Sequence, residues 1–141
     1  MTSPDLARSY LAKAQLRLEV LAFLLERGGY SDVVREAQEL VELALKALLR
    51  LVGVEPPHHH DVGGLLLEHG GRLPAELRER LPRAAEISKS LRRERELAFY
   101  GDIDFIPTEE YTEAHGRAAY DGAAFVLALA QAVMRQLPGP R

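Results

Sequence analysis

Three arginines, a tyrosine and an aspartate stand close together in one stretch of the chain and form the best candidate for a binding site. They are Arg92, Arg93, Arg95, Tyr100 and Asp102. A guanidinium group presents a fork of donors that matches a phosphate, and the ring of Tyr100 offers a face for stacking on a nucleobase. Arg92 and Arg95 share a helix face at their spacing, whereas Arg93 is expected to point elsewhere. The pattern predicts a site for a nucleotide or another phosphate.

The alternative interpretation of this stretch is an ordinary solvated helix face. Glu94 and Glu96 alternate with the arginines and neutralise part of their charge. Under this interpretation Tyr100 packs beside the turn at Gly101 and binds nothing. The residue types alone leave both interpretations open.

A second cluster is rich in histidine and suggests either a metal site or the start of a helix. It consists of His58, His59, His60 and Asp61, with His69 further along. Three adjacent histidines cannot all reach one ion from a regular helix or strand, and the His-x3-His spacing of a helical zinc site does not occur. We therefore expect no metal here. Asp61 is better explained as the N-cap of the helix that follows, with His60 beside it.

The composition predicts that an all-α protein carries these clusters. Leu, Ala, Glu and Arg dominate the 141 residues, and they are strong helix formers. The length fits one domain over residues 1–141, with a core at about 5–136. There is no Cys, which excludes disulfides and Cys-ligated metals. A Walker loop and a dinucleotide-binding glycine motif are also missing, so we expect no cofactor.

Charge and hydropathy limit the classes of partner that we expect for the protein. The chain has 18 Lys+Arg against 21 Asp+Glu, a net charge of −3, which is unlike a non-specific nucleic-acid binder. No apolar run reaches the roughly 18 residues that span a bilayer, and the N-terminus lacks the layout of a signal peptide. We expect a cytoplasmic protein without a membrane partner.

Hydrophobic periodicity and capping residues predict an antiparallel up-and-down bundle of four to five helices. Ser31 and Thr108 are expected to cap the second and the last helix. The expected helical segments cover residues 4–28, 31–53, 61–68, 74–100 with an interruption at Pro82, and 108–136. Glu109, Glu110 and Glu113 would then occupy the first turns of the last helix, where acidic residues complement the helix dipole.

The second helix is apolar on almost every side between residues 40 and 52, so other helices or a second subunit must cover it. The exception is a stripe of Glu42, Lys46 and Arg50, which are four residues apart. This stripe is either an exposed face with an ion pair or a polar seam against a partner.

Three stretches, in this order, resemble the HEPN family (higher eukaryotes and prokaryotes nucleotide-binding). Residues 37–49, AQELVELALKALL, are similar to its A-x-E-x-x-E-x-x-x-K-A-L-L helix. Residues 60–66, HDVGGLL, are similar to its H-D-x-x-x-L-L turn. Residues 92–102, RRERELAFYGD, resemble the Arg-rich end of its third long helix, where R-x-x-A-x-Y-G-D is common. The resemblance covers roughly residues 5 to 135.

The resemblance implies a helical bundle that is usually a homodimer and often pairs with a small nucleotidyltransferase in a toxin–antitoxin-like or nucleotide-handling system. It supports nucleotide or phosphate binding by Arg92, Arg95, Tyr100 and Asp102. It implies that His60-Asp61 forms a structural turn near the nucleotide-facing end. Tyr100 is also a candidate for nucleotidylation by the partner, although its position differs from that of the tyrosine usually modified in the family.

Active ribonucleases of the family carry Arg-x4–6-His at the end of the third long helix, where the His serves as general acid or base. No His follows Arg92, Arg93 or Arg95 in that window, and Tyr100 stands there instead. A phenol with a pKa near ~10 is a poor proton shuttle at neutral pH. We therefore favour a binding module with no assigned catalytic residue. The alternatives are a divergent, metal-independent ribonuclease, with Tyr100 or Asp102 in place of the His, and a plain oligomerisation scaffold.

Overall fold

The computed structural model describes residues 4–58 and 62–137, and every regular element in this part of the chain is a helix. Four helices are long and three are short. They are α1 (Pro4–Glu26), α2 (Tyr30–Leu51), α3 (Val62–Glu68), α4 (Ala75–Arg78), α5 (Leu81–Phe99), α6 (Pro107–Glu110) and α7 (Glu113–Gln136), with a 3₁₀ turn at Gly70–Arg72. The prediction of an all-α bundle is confirmed. No helix in the described residues is long and apolar enough to span a bilayer.

Helix α2 lies at the centre of the bundle, because it packs against α1, α5 and α7. Leu40, Leu45 and Leu48 are fully enclosed on it. Enclosing such a side chain contributes about 1.5–3 kcal/mol to folding. The apolar composition of this helix is therefore explained by its neighbours within the chain.

Helix α5 has a buried side and a charged side, and this division places the arginines. Pro82 lies in its first turn, where the missing N–H has no intrahelical partner to lose. Its buried side consists of Leu81, Ala84, Ser88, Leu91 and Ala98. The three arginines of the sequence cluster are exposed, although Arg95 follows the buried Leu91 by one turn.

The prediction that Ser31 caps the second helix is wrong. Helix α2 begins at Tyr30, Gly29 holds the N-cap position, and Ser31 is buried inside the first turn. The reason is the tight turn at Gly28, whose φ of +79° lets the chain reverse and start the next helix at once.

The prediction that Thr108 caps the last helix is also wrong. Pro107 starts the one-turn helix α6, which contains Thr108, Glu109 and Glu110. Helix α7 is capped by Thr112 instead. The backbone N–H of Thr112 donates to Nδ1 of His115 at 3.0 Å, and the hydroxyl oxygen of Thr112 accepts from the backbone N–H of His115 at 3.4 Å. Of the three acidic residues expected at the start of the last helix, only Glu113 is there.

A tight loop after α5 turns the chain back toward the bundle. Gly101 has a φ of +69°, and a side chain at this position would collide with the carbonyl oxygen of Phe105. Asp102 and Phe105 exchange two backbone hydrogen bonds of 2.9 Å across the loop. The reversal carries α6 and Tyr111 back against α5.

Candidate phosphate-binding site

A polar cleft of about 490 Å³ lies between α2 and α5. We call it the arginine cleft. The described residues that line it are Gln38 and Glu42 of α2, His58 of the following connection, and Arg92, Arg93, Arg95 and Glu96 of α5. The lining thus includes three arginines and two glutamates, which gives it an excess of positive charge.

All three arginines of the sequence cluster line this cleft. The prediction that Arg93 faces elsewhere is wrong, because Arg93 lines the same cleft as Arg92 and Arg95. Neighbouring positions on a helix point in different directions at Cβ, but an arginine side chain is long enough to bend back.

An ion pair between two helices fixes one of the arginines. Nη2 of Arg95 lies 2.9 Å from a carboxylate oxygen of Glu39 on α2. Further along α2, Nζ of Lys46 lies 3.9 Å from Glu42, as the (i, i+4) spacing predicts. These pairs are partly exposed, so each contributes only about 0.2–1 kcal/mol to stability. Their main effect is to set the charge and the side-chain positions beside the cleft.

Gln38 is a cleft residue that the sequence analysis missed. Its side chain is only 4% exposed, and its Oε1 has no hydrogen-bond partner among the described residues. A signal was present in the sequence, since Gln38 lies four residues before Glu42 and extends the polar stripe of α2 by one turn.

Tyr100 and Asp102 lie outside the arginine cleft. The Tyr100 ring is 78% exposed and packs edge-on against Phe99, with 4.7 Å between the ring centroids. Oδ1 of Asp102 accepts a 2.7 Å hydrogen bond from the backbone N–H of Ile103. Of the four predicted binding residues, the fold therefore brings together Arg92 and Arg95 and leaves the other two at the end of α5.

The histidine cluster is only partly described. His60 and Asp61, predicted to form a structural turn, lie outside the described residues, while His58 lines the arginine cleft. Within residues 4–58 and 62–137, no group of three or more His, Asp or Glu side chains is placed to hold a metal ion.

A second, mainly apolar groove of about 460 Å³ separates α5 from α7. Ile87, Ala119 and Gly122 are among its lining residues. Beside them, the Tyr111 hydroxyl donates a hydrogen bond to the Glu94 carboxylate. Burial, and then the hydrogen bond and negative charge of Glu94, raise the pKa of Tyr111 far above its ordinary value. Tyr111 stays protonated at neutral pH and helps to join α5 to the start of α7.

The packing of three long helices around α2 defines an all-α helical-bundle protein. The family model of the HEPN domain matches residues 7–132, and the chain belongs to that family. The crystal structure of TT1696 from Thermus thermophilus is similar to this chain. The two share 25% sequence identity and a TM-score of 0.70, over 89% of this chain and 96% of the other. A comparison with curated proteins gives no match.

Proposed function

We propose that this HEPN domain is a binding module that holds the phosphate of a nucleotide or of RNA in the arginine cleft. The observation that carries the proposal is the convergence of Arg92, Arg93 and Arg95 on one polar cleft. Guanidinium groups bind phosphate oxygens through paired, charge-assisted hydrogen bonds, so several around one cleft suit a phosphate better than they suit a neutral ligand.

The proposal is tested with a fluorescein-labelled oligoribonucleotide and fluorescence anisotropy. We expect the double variant Arg92→Ala/Arg93→Ala to bind at least about tenfold more weakly, because a hydrogen bond to a charged group contributes about 1.5–3 kcal/mol. Lys13→Ala/Arg135→Ala removes two exposed positive charges, one from α1 and one from α7, and is the matched control. Equal affinities of the three proteins would overturn the proposal.

We also propose that the domain is a homodimer that pairs with a small nucleotidyltransferase in a toxin–antitoxin-like system. This proposal follows the family resemblance. Sedimentation equilibrium is expected to give a dimer at micromolar concentration, and a monomer at every concentration would contradict it. A tagged pull-down from native cells, analysed by mass spectrometry, is expected to recover the nucleotidyltransferase in stoichiometric amount.

The exposed Tyr100 is the acceptor that we propose for such a partner. Transfer of a nucleoside monophosphate from a nucleoside triphosphate would form a phosphodiester bond to its hydroxyl oxygen and release pyrophosphate. The ring is 78% exposed, so the hydroxyl is accessible to another protein. Mass spectrometry of wild type and Tyr100→Phe after co-expression with the recovered partner tests the assignment. A nucleotide adduct on both proteins would place the modification elsewhere.

One observation favours ribonuclease activity as a second candidate. His58 lines the arginine cleft although it lies far from Arg95 in sequence, so the cleft contains a side chain of the type that most often serves as a general acid or base. In this alternative His58, rather than Tyr100 or Asp102, serves as the general acid or base while the arginines stabilise the phosphate charge. Degradation of RNA without added metal that His58→Ala abolishes would establish it. If neither wild type nor His58→Ala degrades RNA, this second candidate is overturned.

A further inference from the structure

The side-chain amide of Gln38 lies at the arginine cleft and contains a buried oxygen without a hydrogen-bond partner in the part of the chain that the structure describes. The residue is 4% exposed, and its Oε1 has no hydrogen-bond partner among the described residues. A carboxamide carries one acceptor oxygen and two N–H donors, and an enclosed acceptor without a donor destabilises the protein. A leucine would fill a similar volume with no unpaired atom, so folding alone gives no reason for an amide at this position.

The position of Gln38 connects this unsatisfied group with the arginines. Gln38 is on α2, across the cleft from Arg92 and Arg93 on α5, and the cleft of about 490 Å³ lies within the range of small-ligand sites. A half-turn about the last side-chain bond exchanges the amide oxygen and nitrogen without moving the rest of the residue. The amide can therefore present an acceptor and a donor side by side to a bound molecule.

We infer that Gln38 recognises the base of a bound adenine nucleotide. The inference rests on the proposed function, since the arginines would hold the phosphate of the same molecule. A glutamine amide matches adenine because Oε1 accepts from the exocyclic N6 amine while Nε2 donates to N7. On the same edge, hypoxanthine and guanine present an acceptor oxygen in place of that amine, so neither of these bases can donate to Oε1 there.

The inference is tested by calorimetric titration of the full chain with adenosine and inosine 5′-monophosphates. The two ligands share their phosphate and ribose, and the base of inosine carries an oxygen where adenine has its amine. Wild type is expected to bind the adenosine nucleotide about tenfold more tightly, as one well-made pair of base contacts allows. Gln38→Leu is expected to bind both nucleotides alike, near the wild-type affinity for inosine monophosphate.

The outcomes separate this inference from the proposed function. If wild type binds both nucleotides alike and Arg92→Ala/Arg93→Ala weakens both, the phosphate site stands and the role of Gln38 is overturned. If wild type binds neither nucleotide nor the labelled RNA, both proposals are overturned. The analogue 7-deazaadenosine monophosphate lacks the N7 acceptor, so its binding to wild type tests the paired contact without any variant protein. Binding as tight as that of the parent nucleotide would overturn the paired contact even if Gln38→Leu failed to fold.

Discussion

At the scale of single residues, the affinity that we expect of the arginine cleft for a phosphate depends on the ion pairs that its arginines already form. Arg95 is held by Glu39 of α2 at 2.9 Å, so part of its charge is neutralised before any ligand arrives. Arg92 and Arg93 extend the positive charge along the same cleft. An incoming phosphate therefore competes with the Glu39 carboxylate for Arg95.

This competition leads to a prediction for Glu39→Gln. The variant is expected to bind the labelled RNA about two- to fivefold more tightly, because it removes a nearby negative charge and releases Arg95. Glu19→Gln changes the net charge of the protein equally at an exposed position of α1 and is the control. Anisotropy titrations of both variants at one salt concentration give the comparison. Weaker binding by Glu39→Gln would show instead that the ion pair is needed to orient Arg95.

Tyr111 leads to a prediction about stability at alkaline pH. Burial and Glu94 raise its pKa in the folded protein above the value near 10 expected in the unfolded chain. The stability from this group is therefore present below about pH 10 and lost as the pH rises further, because the unfolded chain releases the phenol proton first. Urea unfolding from pH 8 to 11 is expected to show that the stability advantage of wild type over Tyr111→Phe shrinks above about pH 10.

The control for this prediction is Tyr100→Phe, since the ring of Tyr100 is exposed. Its stability relative to wild type is expected to change little over the same pH range. A difference between wild type and Tyr111→Phe that stays constant up to pH 11 would contradict the proposed burial of the phenol.

At the scale of the helices, periodicity predicted the long elements and failed at their ends. Apolar residues that recur every three or four positions locate α1, α2, α5 and α7, because a bundle helix must bury one side. The capping residues of α2 and α7 were misassigned because Ser31 and Thr108 have the right residue type at nearly the right place. Which of several candidates becomes the cap depends on the turn before it. The turn at Gly28 lets α2 begin before Ser31, and Pro107 begins the separate short helix α6 before Thr108. Neither Ser31 nor Thr108 is therefore left at a cap position.

Close packing between α3 and α5 leads to a prediction for Gly63. A Cβ atom at Gly63 would lie 2.9 Å from the Cα of Ala85, a backbone atom that cannot rotate away. Glycine to alanine within a helix normally stabilises by about 0.5–1 kcal/mol. Here the collision is expected to reverse the sign and to cost about 1–3 kcal/mol.

Gly71→Ala is the matched control, because a Cβ at Gly71 meets no atom within 4 Å. We expect the control to unfold at or slightly above the wild-type urea concentration and Gly63→Ala to unfold well below it. Gly63→Ala as stable as Gly71→Ala would mean that α3 does not pack against α5 as described.

At the scale of the whole molecule, the overall charge is a poor guide to the site. The chain has a net charge of −3, yet three arginines converge on one cleft. The composition argues against a uniformly basic nucleic-acid binder, but a sum over the sequence cannot locate a local excess of charge. With this charge distribution, phosphate affinity is expected to come from the cleft and not from the general surface.

Contacts between helices explain which parts of the candidate site could be predicted. Arg92 and Arg95 were found because they belong to one helix, where spacing determines direction. Gln38 and the pairing of Glu94 with Tyr111 were missed because they depend on which helices become neighbours. Tyr100 and Asp102 are near the arginines in sequence, but the end of α5 and its loop carry them away from the cleft.

The salt dependence of RNA binding tests phosphate recognition by the arginine cleft most directly. For single strands, each phosphate contact contributes about 0.7 to the slope of log affinity against log salt concentration. If Arg92 and Arg93 each contact a phosphate, the double alanine variant is expected to bind more weakly and with a slope about 1.4 shallower than that of wild type. Identical slopes for the two proteins would show that these arginines contact no phosphate and would contradict the proposed function.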